Sequence, residues 1–261
     1  MNQIAGQVQP LMDLAFAVLR TYGLVFLRVG AAAALLPGFG ERMVPARIRL
    51  VAAMALSAAV APAVAGGLPA GPATLAGSVG LLFAEMLNGL ALGFVLRLFL
   101  MAIEMAGGIA AQSGSLAQMF GTAGEPMPAI GHLLVMAGLG LAFLGGLHVR
   151  IAAALILSYR AIPAGTLPGA ALIESWSLAQ VSHAFGLSFS LAAPFVIAAL
   201  LYNVALGFIN RAMPGLMVAM IGAPALAAGV LILLAVAAPL MLAGWQSGYE
   251  RLLADPFAVV R

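Results

Sequence analysis

The sequence predicts an all-α membrane protein with about six apolar helical segments. Three observations predict it. Of 261 residues, 64% are hydrophobic and 7% charged, where a soluble domain carries about 25% charged residues. The mean hydropathy is +1.14, an average that one signal peptide does not produce. The apolar residues fall in runs of membrane-crossing length, with breaks rich in Pro, Gly or Arg between them.

Charge and cysteine content narrow the function. Every one of the eleven basic residues is Arg, a bias that fits a high-GC genome better than a chemical demand. The net charge of +3 is small and scattered, so a pI of about 10.0 does not argue for nucleic acid. The absence of Cys excludes disulfides, thiolate metal sites and a Cys nucleophile.

Leu14 to Leu36 is the first run and holds Arg20 and Arg28. Arg20 reads either as a side chain snorkelling to an interface or as a charge facing a partner. Arg28 lies deeper, where an Arg faces a partner group or a water-filled cavity. Pro37 to Arg49 is a polar break. Leu50 to Val64 is the second run, and the uncharged turn Gly66 to Ala73 follows it.

The third run, Leu75 to Met105, carries Glu85, Arg97 and Glu104. Arg97 and Glu104 are seven residues apart and share a helix face, with Glu85 off that stripe. These charges read as buried contacts to another helix or subunit in preference to an ion relay, which needs a second acid within reach. Gly89 and Gly93 form GxxxG, a weak motif for close helix approach in so Gly-rich a chain.

Glu104 to His132 is the stretch around which the rest is organised. Gly107, Gly108, Gly114, Gly121, Gly124 and Gly131 are expected to break any helix there. Ile109, Leu116, Met119, Phe120 and Met127 keep it apolar. Irregular backbone of this kind is tolerated at membrane depth only inside protein or along a passage.

The fourth run is Leu133 to Leu157, with His148 and Arg150 near its end. No acid or second His stands three or four residues from His148, so it is read as a polar tip rather than a metal ligand. Ser158 to Ala184 is the longest polar segment, where Trp176 fits an interfacial anchor. Phe185 to Ile209, interrupted by Pro194, is the fifth run and ends at Asn210 and Arg211. Leu216 to Leu242 is the sixth, and a short tail runs from Gly244. Arg42, Arg47 and Arg49 place the first connection in the cytoplasm, whereas Arg251 and Arg261 argue for a cytoplasmic C-terminus. Six simple crossings do not satisfy both.

Walker A, HExxH and GxSxG sequences and paired carboxylates at catalytic spacing are all missing. No enzyme is expected, and no cofactor or metal. The third and sixth runs do not resemble each other as the repeats of a secondary transporter do. A transporter using Glu85, Arg97 and Glu104 remains the alternative.

Four blocks in order resemble a known family. They are Leu27-Arg28-Val29 leading to Leu36-Pro37 and Gly40 to Leu50; Glu104, Gly107 or Gly108, Gln112, Gly114, Glu125-Pro126 and Pro128; Gly146-Leu147-His148 with Ile162-Pro163; and Asn203 to Arg211 with Pro214, Gly222 and Pro224. Together they resemble the flagellar biosynthesis protein FliR, the R subunit family of flagellar and virulence type III export gates. Glu125, Gly215 and Ala223 depart from that family's usual residues and mark a divergent member.

The resemblance implies long bent hairpins within a hetero-oligomeric export gate in the bacterial inner membrane, at the flagellar basal body. It implies FliP-like and FliQ-like gate partners, neighbouring FlhB-like and FlhA-like export proteins, and unfolded proteins as substrates. The whole chain, 1–261, is expected to form one integral membrane domain with a plug loop at about 107–124. Gly107, Gly108, Gln112, Gly114, Leu116, Met119 and Phe120 are the expected plug residues. Glycines would hinge it, and Met and Phe would exclude water. Arg28, Glu85, Arg97, Glu104, Asn210 and Arg211 are the expected buried inter-helix or inter-subunit contacts.

Overall fold

Long apolar helices account for the architecture. The computed structural model describes residues 2–40, 44–69, 75–113, 129–213 and 218–257, and among these no strand occurs. Seven α-helices are described: α1 (Asn2–Leu35), α2 (Ala46–Val64), α3 (Leu75–Ser113), α4 (Ala129–Leu144), α5 (Leu147–Ala161), α6 (Ala170–Ala212) and α7 (Val218–Ala254). Five described helices are long and apolar enough to cross a membrane, or six if α4 and α5 are taken as one broken span. The protein is therefore an all-α membrane protein.

Several boundaries differ from the sequence reading, each for a local reason. Helix α3 does not stop at Gly107 and Gly108 but runs on to Ser113. The fourth run is two helices, because Gly146 adopts a left-handed φ of 79° between them. Most of the supposed polar segment Ser158 to Ala184 is helical, since α5 runs to Ala161 and α6 starts at Ala170. Helix α6 also continues through Pro194, as membrane helices tolerate Pro where neighbours re-satisfy the freed backbone.

The chain divides into two compact units. The first comprises Met1–Arg97, Gly146–Leu178 and Arg251–Arg261. Its core is formed by Val25, Val29 and Ala32 of α1, Val60 of α2, Leu92 and Leu96 of α3, and Ile151 and Leu155 of α5, all buried. The GxxxG pair explains how close α1 and α3 lie. A Cβ at Gly89 would overlap the Arg28 carbonyl oxygen, and one at Gly93 would come within 2.6 Å of the Ala32 carbonyl oxygen. Only glycine allows these backbones to approach so closely. Trp176 is not an interfacial anchor in this unit. It is 8% exposed and stacks on Phe257, with ring centroids 5.6 Å apart.

The second unit comprises Leu98–Gly145 and Ala179–Glu250. Ile103 and Ala106 of α3, Leu134 of α4, Phe195 of α6, and Trp245 and Tyr249 of α7 are buried in it. The Trp245 indole donates from Nε1 to the Phe99 carbonyl at 2.7 Å and stacks on Tyr249 at 5.1 Å. Gly138 faces that indole, and a Cβ there would lie 3.2 Å from the ring. The outer faces stay apolar, with Leu144, Phe208 and Leu240 at 70% exposure or more.

Candidate functional site

The first unit holds a buried polar cluster between apolar helices. Arg28 and Glu85 both have side chains at 0% exposure. Arg28 Nε donates to Glu85 Oε2 at 2.8 Å and Nη2 to Oε1 at 3.0 Å, a two-pronged pairing of guanidinium and carboxylate. Nη1 donates to Ser158 Oγ at 3.3 Å and to the Ile162 carbonyl at 3.1 Å. The Ser158 hydroxyl spends its own proton on the Leu155 carbonyl at 2.6 Å, which leaves its oxygen free to accept. The Tyr159 ring lies under the guanidinium, 3.8 Å from its carbon to the ring centroid.

The carboxylate is held from its other side. Gly165 donates its backbone N–H to Glu85 Oε1 at 2.8 Å. Its φ of 75° is a left-handed conformation that suits glycine. One turn along α3, Asn88 donates from Nδ2 to the Thr166 carbonyl at 2.9 Å. The cluster thus ties α1, α3, α5 and the connection after α5 at one point. It places both charges in a water-poor site where most of their donors and acceptors are satisfied. The carboxylate accepts three hydrogen bonds, one at Oε2 and two at Oε1, and the guanidinium gives four, so the cluster holds the elements around it together.

The remaining expected contacts are dispersed. Arg97 and Glu104 are half-buried on α3. Asn210 and Arg211 are exposed at the end of α6, not buried within this chain. Arg211 sits in the last turn, where a cation complements the unpaired carbonyls. Among the described residues no three His, Asp or Glu side chains gather as a metal site.

The expected plug divides at Ser113. Gly107, Gly108 and Gln112 belong to α3, whereas Gly114, Leu116, Met119 and Phe120 lie outside the described residues. Gly107 is helical and packs tightly. A Cβ on it would overlap the Cα of Gly131, and one on Gly131 would meet the Glu104 carbonyl oxygen at 2.9 Å. These glycines let the end of α3 and the start of α4 touch backbone to backbone.

Sequence reasoning expected Arg28 and Glu85 as buried contacts without pairing them, and it passed over Ser158, Tyr159 and Gly165. GxxxG was the available signal, since it brings α1 against the same stretch of α3 that carries Glu85.

The sequence matches the family described as bacterial export proteins, family 1, over residues 19–252. The chain belongs to this family. Its similarity to curated members spans most of both chains. A flagellar biosynthetic protein FliR of Caulobacter vibrioides is 33% identical over 235 residues, covering 88% of this chain and 93% of the relative. The Escherichia coli K12 protein of the same name is 30% identical over 217 residues, 79% of each chain. A third, from Pectobacterium carotovorum, is 29% identical over 206 residues. The export-family match contains Arg28, Glu85 and the stretch between α3 and α4.

Proposed function

We propose that this chain is a structural subunit of the flagellar type III protein-export gate, a multi-pass protein of the bacterial inner membrane. The observation that carries this reading is the export-family match, which runs through nearly the whole helical body. The names of its relatives support a place in flagellar biosynthesis. Wide apolar outer faces support assembly with other membrane subunits. By the resemblance these are FliP-like and FliQ-like, with FlhB-like and FlhA-like proteins alongside. The role is to build the passage and close it, without catalysis by the chain itself.

Closure is assigned to the stretch between α3 and α4. Gly114, Leu116, Met119 and Phe120 supply small and adaptable apolar groups suited to a water-excluding seal. Contact between Gly107 and Gly131 supports this reading because it anchors the two ends from which the stretch departs.

A mild-detergent pull-down of the tagged chain from its native host tests the assignment. Recovery of P-like and Q-like gate subunits is the expected result. A monodisperse monomer or homodimer, with those subunits expressed, overturns it. Deletion of Gln112 to Gly121 tests the plug separately: the expected variant assembles yet leaks ions, and an intact seal overturns the closure role.

A further inference from the structure

The first unit contains an apolar pocket of about 620 Å³. It is lined by Leu90 and Phe94 of α3, Leu167 and Pro168 of the connection after α5, and Leu172 and Ile173 of α6. Trp176 and Phe257 also line it, stacked on each other. No charged side chain stands in the lining among the described residues. Asn88 on the wall is buried and its side-chain nitrogen donates to the Thr166 carbonyl. The Trp176 indole N–H is buried and has no hydrogen-bond partner among the described residues.

Size and chemistry narrow the occupant. A helix about 10 Å across would exhaust this volume within about one and a half turns, so a transmembrane helix of another protein does not fit. Apolar walls do not hold water, and they gain dispersion contacts from an apolar chain. Helices α3 and α6 are both long and apolar enough to cross a membrane, which puts acyl chains at hand. The exposed charges nearest the lining in sequence are of both signs. Arg160 precedes Ala161, Glu174 follows Ile173, and Asp255 stands two residues before Phe257. None of the three is ion-paired among the described residues.

We propose that this pocket binds one acyl chain of a zwitterionic phospholipid. A buried indole N–H ordinarily finds an acceptor, and the ester carbonyl of the lipid supplies one to Trp176. The headgroup carries both signs, a phosphate for Arg160 and an ammonium for Glu174 or Asp255. A singly anionic lipid would match Arg160 but bring nothing to the two acids, and a free fatty acid likewise lacks the cation. Every residue of the site belongs to one unit of this chain, so the proposal stands apart from the export-gate reading.

The test reads Trp176 itself. The full chain is purified in mild detergent and placed in vesicles of phosphatidylcholine with brominated acyl chains, which quench an indole on contact. Trp176 and Trp245 are both buried from the surrounding bilayer, so quenching reports a chain inside the pocket. The expected loss is Trp176's share of the emission, one tryptophan of two. Ala91→Phe, which fills the pocket, is expected to abolish the loss at an unchanged melting temperature. Leu172→Phe narrows the pocket from a position 57% exposed, and is expected to lower the loss without touching the core. In mixed vesicles, brominated phosphatidylglycerol at the same fraction is expected to bind about fivefold more weakly. Native mass spectrometry of the complex recovered with the tagged chain is expected to retain one phospholipid that Ala91→Phe loses. Unquenched emission overturns the proposal, as does quenching that both variants keep or that phosphatidylglycerol equals. A complex without the lipid assigns the pocket to a protein neighbour and overturns it too.

Discussion

Arg28 and Glu85, 57 positions apart in sequence, meet through two hydrogen bonds of 2.8 and 3.0 Å with neither side chain exposed. The pair is the point at which the first unit is tied together. Removing one member leaves the other buried and uncompensated, which costs about 3–5 kcal/mol. Arg28→Met and Glu85→Leu are each expected to lower the melting temperature in detergent and to reduce accumulation in the membrane. The double variant is expected to be less damaged than the two losses added together, because the stranded charge is gone. It is not neutral, since Gly165 N–H and the Ile162 carbonyl then lose their partners at about 1–3 kcal/mol each. Strict additivity in this cycle would show that the pair does not act as a unit.

Gly165 makes a second prediction about the same cluster. Its left-handed φ aims its N–H at Glu85, and a Cβ there would collide with the side chain of Leu81. Gly165→Ala is expected to destabilise by about 1 kcal/mol or more through backbone conformation alone. The Leu81 collision adds to it. The substitution is also expected to weaken the grip on Glu85, so its effect shrinks once Glu85→Gln has been introduced. Full and equal destabilisation in both backgrounds would leave Gly165 as a turn residue only.

Hydropathy and run length were enough to read the class of fold, because a membrane helix satisfies its own backbone and so must be both long and apolar. Segment edges were less legible where glycine was taken at face value. Propensity makes Gly107 and Gly108 helix breakers, yet both are helical because the gain is a backbone contact with Gly131 that no single-helix pattern reveals. The buried pair was half legible. Arg28 stood out by depth in its run, and Glu85 by charge. Their partnership depends on how α1 lies against α3, a tertiary fact that only the weak Gly89–Gly93 spacing signalled. Trp176 misled for the opposite reason: an amphipathic ring beside polar residues looks interfacial until Phe257, far along the chain, is found stacked on it.

The second unit offers a hydrogen bond that separates packing from polarity. Trp245 is fully buried, and its indole donates to the Phe99 carbonyl at 2.7 Å. Trp245→Phe keeps an aromatic ring beside Tyr249 but removes this donor from a carbonyl inside α3 that keeps its helical position, a loss of about 0.5–1.5 kcal/mol. Trp245→Ala removes the ring as well and is expected to cost about 3–5 kcal/mol. Thermal unfolding of the purified chain in detergent should therefore rank wild type above Trp245→Phe above Trp245→Ala. If Trp245→Phe matches Trp245→Ala, the hydrogen bond outweighs the packing and this ordering of effects is wrong.

Gly107 and Gly131 give the last prediction, because they join fold to function. Their contact fixes where the chain leaves α3 and where it re-enters a helix at α4. A side chain at Gly107 would have to occupy the space of the Gly131 backbone, and no rotamer of a larger residue avoids that overlap. Gly107→Val must therefore push the end of α3 away from the start of α4. If the stretch between them closes the passage, separating its anchors should leave the gate assembled but poorly sealed. The measurements are subunit recovery by pull-down, ion leak across the membrane and secretion of flagellar proteins. The expected pattern is near-normal recovery with raised leak. Gly140→Ala is the control, as an added Cβ on this glycine of α4 meets nothing within 4 Å. Raised leak in Gly107→Val with a tight seal in Gly140→Ala supports anchoring by the Gly107–Gly131 contact. A tight seal in both, with secretion unchanged, would mean that the contact serves helix packing alone and that closure is set elsewhere.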